Sequence, residues 1–225
     1  MKKAFALCFS AILFCTTAFC QDILTAGAFF QSVSEYYGTL SDYESSISIV
    51  DNKSKEMTGR VSFKRPNLMR IDFSKPDTQV ICFNGNTLTV YLPDSRAIFN
   101  QEVSSSGSST GANLATPQGL TLLSRYYSIA YETGPQAVAL DEGNPEHVVK
   151  LLLSRKTNSE GFRTIKLAIN PDTKLIRRIE ATSVNYENFV FNFTNYALNQ
   201  NIPDTRFIYD APSSANTYNN FLYTE

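Results

Sequence analysis

Several residue types on which active sites and metal sites depend are scarce in this chain. It contains no tryptophan and one histidine, and three of its four cysteines lie in the first 20 residues. A metal site with several histidines is therefore impossible. A catalytic cysteine–histidine pair would need Cys82 beside His147, and their spacing does not indicate this. Runs of like charge are also lacking, and the formal net charge is -1, so the composition does not support binding to nucleic acid or anionic lipid.

The chain carries one short match to a catalytic motif, the G-x-S-x-G pattern of serine hydrolases at 107–111. A nucleophile elbow needs a buried strand that runs into the serine and a helix that begins directly after it. Ser109 instead lies in the Ser- and Gly-rich tract 104–113, whose composition is typical of a flexible polar loop. No phosphate-binding loop or dinucleotide fingerprint occurs, so the sequence predicts neither an enzyme nor a bound cofactor.

Residues 1–20 predict a cleaved signal peptide. Two lysines near the start are followed by an apolar run that is too short to span a bilayer as a helix. A small-x-small pattern that ends at Cys20 predicts cleavage before Gln21, which makes 21–225 a single mature domain. The alternative is lipoprotein processing, which would keep Cys20 and acylate it, although the bulky Phe19 directly before it is unfavourable.

Cleavage before Gln21 leaves Cys82 as the one cysteine of the mature chain, so no intramolecular disulfide can form. The apolar pattern around Cys82 favours a small buried side chain over a reactive thiol. His147 follows Glu146 at a turn and is interpreted as a solvated residue at the start of a strand.

Apolar periodicity predicts two helical segments. The first shows helical spacing at Leu24, Ala28, Phe29, Val33, Tyr36 and Tyr37. Its predicted end is Gly38, as the residue after the last turn. A second helix is predicted to begin at Thr116-Pro117 and to end near Gly134-Pro135. One side of it consists of Leu120, Leu123, Tyr127 and Ala130.

Period-two alternation predicts about eleven or twelve strands. The first six are expected at about 41–50, 56–63, 68–73, 78–83, 87–92 and 96–103, as an antiparallel meander. The others are expected at about 136–140, 147–155, 162–169, 175–184, 188–197 and 205–209. A twisted sheet of this length must close, split or curl. Several strands are apolar on both faces, which fits either a curled sheet around a cavity or an ordinary sandwich core.

The strongest turn signal lies between the fourth and fifth predicted strands. Asn84-Gly85 tolerates positive φ and predicts a two-residue I′ turn. In that register Phe83 faces Asn86 and Ile81 faces Leu88.

This hairpin is part of a longer pattern. The run K-R-P-N-L at 64–68 is followed by a strand, a proline turn, and the two strands joined by Asn84-Gly85. The pattern resembles that of the LolA family, the periplasmic carriers of outer-membrane lipoproteins. The chain departs from the family at Ile71 and Thr89, where better-known members carry tryptophan. Its segment 207–212 only echoes the family's C-terminal F-x-F-x-x-P-x-G motif.

The resemblance implies a mainly β fold: a curled antiparallel sheet, or incomplete barrel, with a helical lid over an apolar cavity. It also implies that Arg65, the arginine of the K-R-P-N-L run, hydrogen-bonds backbone carbonyls of the lid in the ligand-free state. An arginine suits this role because its guanidinium has five donors and stays charged. The alternation of side chains along the strands then indicates which of them face the cavity. The predicted cavity lining is Met69, Ile71, Ile81, Leu88 and Val90 from the sheet and Leu120 and Leu123 from the lid. Each of these seven side chains fits an ordinary core equally well.

The function implied by the resemblance is binding and transfer without catalysis. Such a carrier accepts acylated lipoproteins from an inner-membrane ABC transporter of the LolCDE kind. It takes them, as a monomer, through the periplasm towards a possible outer-membrane acceptor. Two alternatives stay open: a carrier of another apolar ligand, such as a glycolipid, and a LolA-like periplasmic sensor module. Neither a metal nor a cofactor is expected.

Overall fold

The structure of the protein is a computed structural model that describes residues 24–102 and 116–220. The expected signal peptide at 1–20 and the tract 104–113, with its Ser109 motif, lie outside the described residues. Among the helices in the described ranges, none has both the length and the apolar character that a membrane crossing requires. The same ranges contain no group of three side chains placed to hold a metal ion.

The described part of the chain contains two α-helices, and both begin close to the predicted positions. Helix α1 spans Ala26–Thr39, and the hydroxyl of Thr25 caps its N-terminus. Helix α2 spans Pro117–Tyr126 and begins with the predicted cap, in which Thr116 Oγ1 accepts a hydrogen bond from Gly119 N at 3.0 Å. Proline follows the cap as the first helical residue, where its missing N–H costs nothing.

The predicted role of Gly38 as the residue after α1 is wrong. The helix continues through Thr39, and Leu40 is its extended C-cap, whose amide donates to Tyr37 O. Gly38 therefore lies in the last turn, where the carbonyl groups have no partner within the helix.

The predicted continuation of α2 to Gly134-Pro135 is also wrong. The chain leaves the helix after Tyr126 and forms a strand at Tyr127–Tyr131. Aromatic and β-branched side chains alternate along this segment, as strands favour. The segment also lies beside an unpaired strand edge, which supplies its backbone with hydrogen-bond partners. Helical spacing at four apolar positions did not distinguish a continued helix from a helix that is followed by a strand.

Within residues 24–102 and 116–220, thirteen strands form the sheet. They are β1 Asp42–Val50, β2 Glu56–Lys64, β3 Leu68–Lys75, β4 Asp77–Phe83, β5 Thr87–Leu92, β6 Ala97–Glu102, β7 Tyr127–Tyr131, β8 Val138–Ala139, β9 His147–Arg155, β10 Phe162–Ile169, β11 Ile176–Ser183, β12 Asn188–Leu198 and β13 Asn216–Asn219. Their order is β13-β6-β5-β4-β3-β2-β1-β12-β11-β10-β9-β7, and β8 also pairs with β9. The predicted meander β1–β6 is confirmed. The two end strands do not pair with each other, so the sheet is curled and open and does not close into a barrel.

The β4–β5 hairpin forms in a different register from the predicted one. The observed pairs are Phe83 with Leu88 and Ile81 with Val90, so the loop between the strands has four residues. Asn84 Oδ1 accepts hydrogen bonds from the amides of Asn86 and Thr87 at 3.0 and 2.8 Å. This side-chain turn replaces the predicted I′ turn. Because the register differs by two residues, every side chain keeps its predicted face.

The C-terminal segment departs most from the prediction. In place of the strand at 205–209 there is a short 3-10 helix at Asp204–Phe207. The segment 202–209, here called the strap, crosses the outer face of β2–β5 instead of extending the sheet. Its amides therefore donate hydrogen bonds to carbonyl groups within the strap itself. Phe207 is 1% exposed, and its carbonyl accepts a hydrogen bond from the thiol of Cys82 at 3.2 Å. Beyond the strap, β13 pairs in parallel with β6, which the sequence did not predict.

The hydrophobic core lies between the inner face of the sheet and the two helices. Helix α1 buries Ala26, Phe29, Phe30, Val33 and Tyr37, and α2 buries Gly119, Leu120 and Leu123. Apart from Gly119, these residues join those of β1–β5, β7 and β9–β12 in one continuous cluster. The helices contact each other and β7, so together they cover one side of the curled sheet.

Candidate functional site

The seven apolar residues predicted to line a cavity all belong to the interior beneath the helices. Five are buried in the central cluster, namely Met69, Ile71, Leu88, Leu120 and Leu123, and two pack against it partly buried, namely Ile81 and Val90. In this structure the side chains of the cluster pack against one another. An acyl chain can therefore enter only if the helices move away from the sheet. Contact of these residues with a ligand stays a prediction.

Arg65 lies at the corner between β2 and β3 and contacts the end of α1. Its Nη1 donates a hydrogen bond to Gly38 O at 2.7 Å. That carbonyl has no partner within the helix, and the helix dipole favours a cation there. The last turn of α1 contains no basic residue of its own, so Arg65 supplies the charge. The contact is of the kind that the resemblance implies, whereas its role in ligand release stays a prediction.

A second hydrogen bond at the same corner involves α2. The Nε2 of Gln118, in the first turn of α2, donates to Pro66 O. Two adjacent residues, Arg65 and Pro66, thus contact both helices, and the corner joins the sheet to the whole lid. Sequence reasoning missed the partner of Gln118, because a place next to the helix N-terminus predicts an exposed side chain and nothing more.

Tyr37 connects α1 to the opposite half of the sheet. Its hydroxyl accepts a hydrogen bond from Ile176 N at 3.1 Å and lies 3.4 Å from Tyr196 Oη, which donates to Ile176 O at 2.7 Å. Burial raises the pKa of Tyr37 to about 12, so the hydroxyl stays protonated at neutral pH. Helical spacing placed Tyr37 on the buried face, but it did not indicate a partner for the hydroxyl.

The other ends of the helices are also held by hydrogen bonds to carbonyl groups. The hydroxyl of Tyr131, on β7, donates to Leu24 O at 2.6 Å, just before α1. At the C-terminal end of α2, Lys156 Nζ donates to Arg125 O at 3.0 Å. The lid is therefore attached by hydrogen bonds at its ends, by the buried hydroxyl of Tyr37, and by apolar contacts along its length.

A small cleft of about 140 Å³ on the outer face of β9–β11 has a different character. Its charged lining consists of Glu132, Lys150, Lys166, Arg178 and Glu180. Lys166 and Glu132 form an ion pair at 2.6 Å. Placing an acyl chain there would remove water from these charges without replacing it. The apolar inner face is therefore the candidate site.

Comparisons with known proteins identify the family of the chain. The sequence matches the family described as outer membrane lipoprotein carrier protein LolA over residues 48–210. The outer-membrane lipoprotein carrier protein of Pseudomonas aeruginosa is 29% identical over 114 residues, which are 51% of this chain and 49% of that protein. The chain thus spans about half the length of the curated relatives that it matches.

Two solved structures share the fold at low sequence identity. An uncharacterized conserved protein from Thermus thermophilus has a TM-score of 0.55 and 13% identity, over 84% of this chain and 98% of that chain. The Pseudomonas aeruginosa MucA/MucB complex contains a chain with a TM-score of 0.50 and 11% identity, over 82% of this chain and 61% of that chain. These likenesses show the fold alone. The family match, by contrast, extends over most of the sequence, from β1 to the end of the strap, and the chain therefore belongs to the LolA family of outer membrane lipoprotein carrier proteins.

Proposed function

We propose that the protein is a periplasmic carrier that shields the acyl chains of lipoproteins and transfers them from the inner membrane towards the outer membrane. The observation that carries the proposal is a continuous apolar interior closed by two helices, with the rim held by few hydrogen bonds. Each methylene group shielded from water contributes about 0.8 kcal/mol. A free acylated N-terminus therefore cannot cross an aqueous compartment unprotected, and a removable apolar cover meets that need.

In this proposal Arg65 adjusts the balance between the closed, empty protein and the open, loaded one. A hydrogen bond to a charged group contributes roughly 1.5–3 kcal/mol, and solvent around the exposed Arg65 moves its contribution to the lower end of that range. The bond to Gly38 stabilises only the closed state. It therefore opposes loading and favours release, which a carrier needs in order to deliver its cargo.

The proposed partners follow from the direction of transfer. An inner-membrane ABC transporter of the LolCDE kind supplies the acylated lipoprotein to a monomeric carrier, and an outer-membrane acceptor receives it. Neither step makes or breaks a covalent bond in the cargo, so the carrier performs no catalysis. Its residues bind the acyl chains, cover them and release them.

The test of the proposal is cargo release by the Arg65→Leu variant. The protein is loaded with a lipoprotein, acceptor membranes are added, and the released fraction is followed over time. We expect Arg65→Leu to fold normally and to hold its cargo about ten-fold more tightly, since about 1.4 kcal/mol corresponds to that factor. Loading then persists while delivery fails.

A matched control is Arg60→Leu. Like Arg65, Arg60 is an exposed arginine, but it lies on the outer face of β2 and pairs with Glu44 at 3.4 Å. Its variant should release cargo at the wild-type rate. Release from Arg65→Leu at that same rate would make Arg65 a solvated corner residue and remove it from the mechanism.

A carrier of another apolar ligand is the second candidate function, because apolar side chains do not distinguish the acyl chains of a lipoprotein from those of a glycolipid. Native mass spectrometry of protein purified from its own periplasm separates the two. A bound lipidated protein supports the proposal, and a bound free lipid supports the alternative. Protein without any apolar ligand favours the sensor module.

A further inference from the structure

The apolar inner face continues beyond the predicted lining to the free edge of the sheet. Strand pairing places Ile71, Ile81, Val90, Phe99 and Tyr218 side by side on β3, β4, β5, β6 and β13. We call this row the apolar strip. Its exposure rises along the row, from 6% at Ile71 to 50% at Tyr218. The strip thus connects the covered interior to solvent at the β13 edge.

We infer that the apolar strip is the path along which one acyl chain of the cargo enters and lies, with its methyl end near Ile71 and its polar head near Tyr218. The inference rests on the proposed function and adds a direction and an entrance to it. Phe99 and Tyr218 then become ligand contacts that the sequence did not indicate.

The dimensions and the chemistry of the strip suit a single acyl chain. Neighbouring strands are about 4.8 Å apart, so the four steps from Ile71 to Tyr218 span roughly 19 Å, comparable to an extended long-chain acyl group. All five side chains of the row are uncharged. A chain of methylene groups can therefore cross them without removing water from an ion.

The orientation follows from the gradient of exposure. The methyl end of an acyl chain gains most from the driest part of the row, at Ile71. The head carries ester and peptide groups that need water, and the polypeptide of the cargo must stay outside. Only the β13 end of the row offers such a place.

The residues at that end are built for an interface between apolar and aqueous surroundings. The rings of Phe99 and Tyr218 stack with centroids 5.3 Å apart and planes 20° apart. Tyrosine joins an apolar ring to a hydroxyl, and such side chains are favoured where one end is dry and the other wet. Backbone hydrogen bonds fix β13 on β6 at both ends of the strand, from Asn216 N to Arg96 O and from Asn220 N to Asn100 O, each at 2.8 Å.

The absence of tryptophan from the sequence provides a clean fluorescence test. Three single-tryptophan variants of the mature protein are made: Tyr218→Trp at the open end, Ile81→Trp within the strip, and Tyr91→Trp on the outer face of β5 as the control. Circular dichroism confirms that each one folds. The probe is a synthetic diacylglyceryl-cysteine peptide that carries a nitroxide quencher either near the carboxyl end or near the methyl end of its acyl chains.

The inference predicts opposite quenching at the two positions of the strip. Tyr218→Trp should lose more fluorescence to the nitroxide near the carboxyl end, and Ile81→Trp more to the nitroxide near the methyl end. Tyr91→Trp should lose little to either. Two results would overturn the apolar strip and leave the carrier function standing. One is quenching of Ile81→Trp while Tyr218→Trp is quenched no more than the control. The other is the opposite order, with Tyr218→Trp quenched more by the nitroxide near the methyl end and Ile81→Trp more by the nitroxide near the carboxyl end. Quenching at no position would overturn the carrier function together with the strip.

Discussion

The two faces of the same sheet are covered in different ways. Helices α1 and α2 cover the inner face mainly through apolar contacts, with hydrogen bonds to carbonyl groups at their ends and a buried hydrogen bond from Ile176 N to the hydroxyl of Tyr37. The strap covers the outer face of β2–β5 through a set of ion pairs and hydrogen bonds. Both covers bury large side chains and polar groups, so the ion pairs between the strap and the sheet distinguish the two.

The outer contacts centre on Asp72. Its carboxylate accepts hydrogen bonds from Arg70, the shortest at 2.8 Å, and from Arg206 of the strap. Arg70 also donates to Arg206 O at 3.1 Å, and Lys64 Nζ donates to Ile202 O at 2.7 Å. Burial opposes ionisation of Asp72, but the two arginines outweigh it and hold the pKa of this carboxyl below its ordinary value. The ionised state of Asp72 therefore depends on its contacts with both arginines.

The difference shows which cover can be exchanged for a ligand. Apolar contacts have no direction, so an acyl chain can replace a helix side chain at little cost. Removal of one partner from a partly buried ionic network leaves the remaining charges with fewer partners, which is costly. We therefore expect the strap to be a permanent part of the fold and the helices to be a removable cover.

Removal of the main apolar anchor of the strap should have the largest effect on stability. Phe207→Ala empties a site that is 1% exposed and should lower the free energy of unfolding by about 3–4 kcal/mol. Urea titration measures the loss. The variant should also react faster with a thiol reagent at Cys82, which Phe207 covers. A small loss of stability with Cys82 still protected would show that the strap does not depend on this side chain.

The next largest effect should come from the centre of the network. Asp72→Ala leaves Arg70 and Arg206 without their carboxylate and should cost about 2 kcal/mol, reduced from the value for a fully buried pair by partial exposure. Arg60→Ala is the control, because it breaks the exposed pair with Glu44 on the same face and should cost less than about 1 kcal/mol. Equal losses of unfolding free energy in Asp72→Ala and Arg60→Ala would contradict the claim that the network beneath the strap stabilises the fold more than an exposed ion pair does.

The same network should make the strap sensitive to acid. A carboxyl whose pKa is lowered by folding stabilises the native state above its unfolded pKa, and this contribution is lost as the pH falls through the folded pKa. For Asp72 the loss should set in below the ordinary value of 3.8. The protection of Cys82 should therefore decrease in that range in the wild type, measured as its rate of thiol reaction divided by that of a free cysteine peptide at the same pH. Asp72→Ala should show a smaller change.

Tyr37→Phe should have a moderate effect, because it leaves the buried amide of Ile176 without its acceptor. We expect a loss of about 1–2 kcal/mol in urea titration. Since burial raises the pKa of Tyr37 to about 12 from an ordinary value of 10.0, its contribution is complete below pH 10 and is lost as the pH rises towards 12. The alkaline loss of stability should therefore be smaller in the variant, and an unchanged alkaline profile would argue against this assignment.

The smallest effect on overall stability should come from Arg65→Leu. The side chain is exposed, so the loss should not exceed about 1.4 kcal/mol, the amount that corresponds to the expected ten-fold change in cargo retention. Hydrogen exchange in the last turn of α1 should nevertheless be faster than in wild type, while the amides of β5 exchange at the wild-type rate. Faster exchange in both places would indicate global destabilisation and not the loss of a contact at the lid.

The sequence predicted the inner face better than the outer one. Period-two alternation assigns Met69, Ile71 and Leu88 to one face whatever the exact pairing, so the two-residue difference in the hairpin register moved no side chain across the sheet. Ion pairs between distant segments have no such period. Nothing near Asp72 in the chain indicates that Arg206 will contact it. The end of α2 was missed because apolar spacing at four positions fits a helix as well as a strand that follows one.

The most direct test of the central claim compares thiol reactivity under the two covers. Cys82 reports on the strap, and Leu88→Cys in a Cys82→Ser background reports on the helices, since Leu88 is 8% exposed and belongs to the core beneath them. We predict that the thiol at position 88 reacts faster with a maleimide than the thiol of Cys82 does, after correction for intrinsic reactivity. A diacylated lipopeptide should slow the reaction at position 88 and leave the rate at Cys82 unchanged. Equal rates at the two positions, or equal protection of both by the lipopeptide, would contradict a removable inner cover and a permanent outer one.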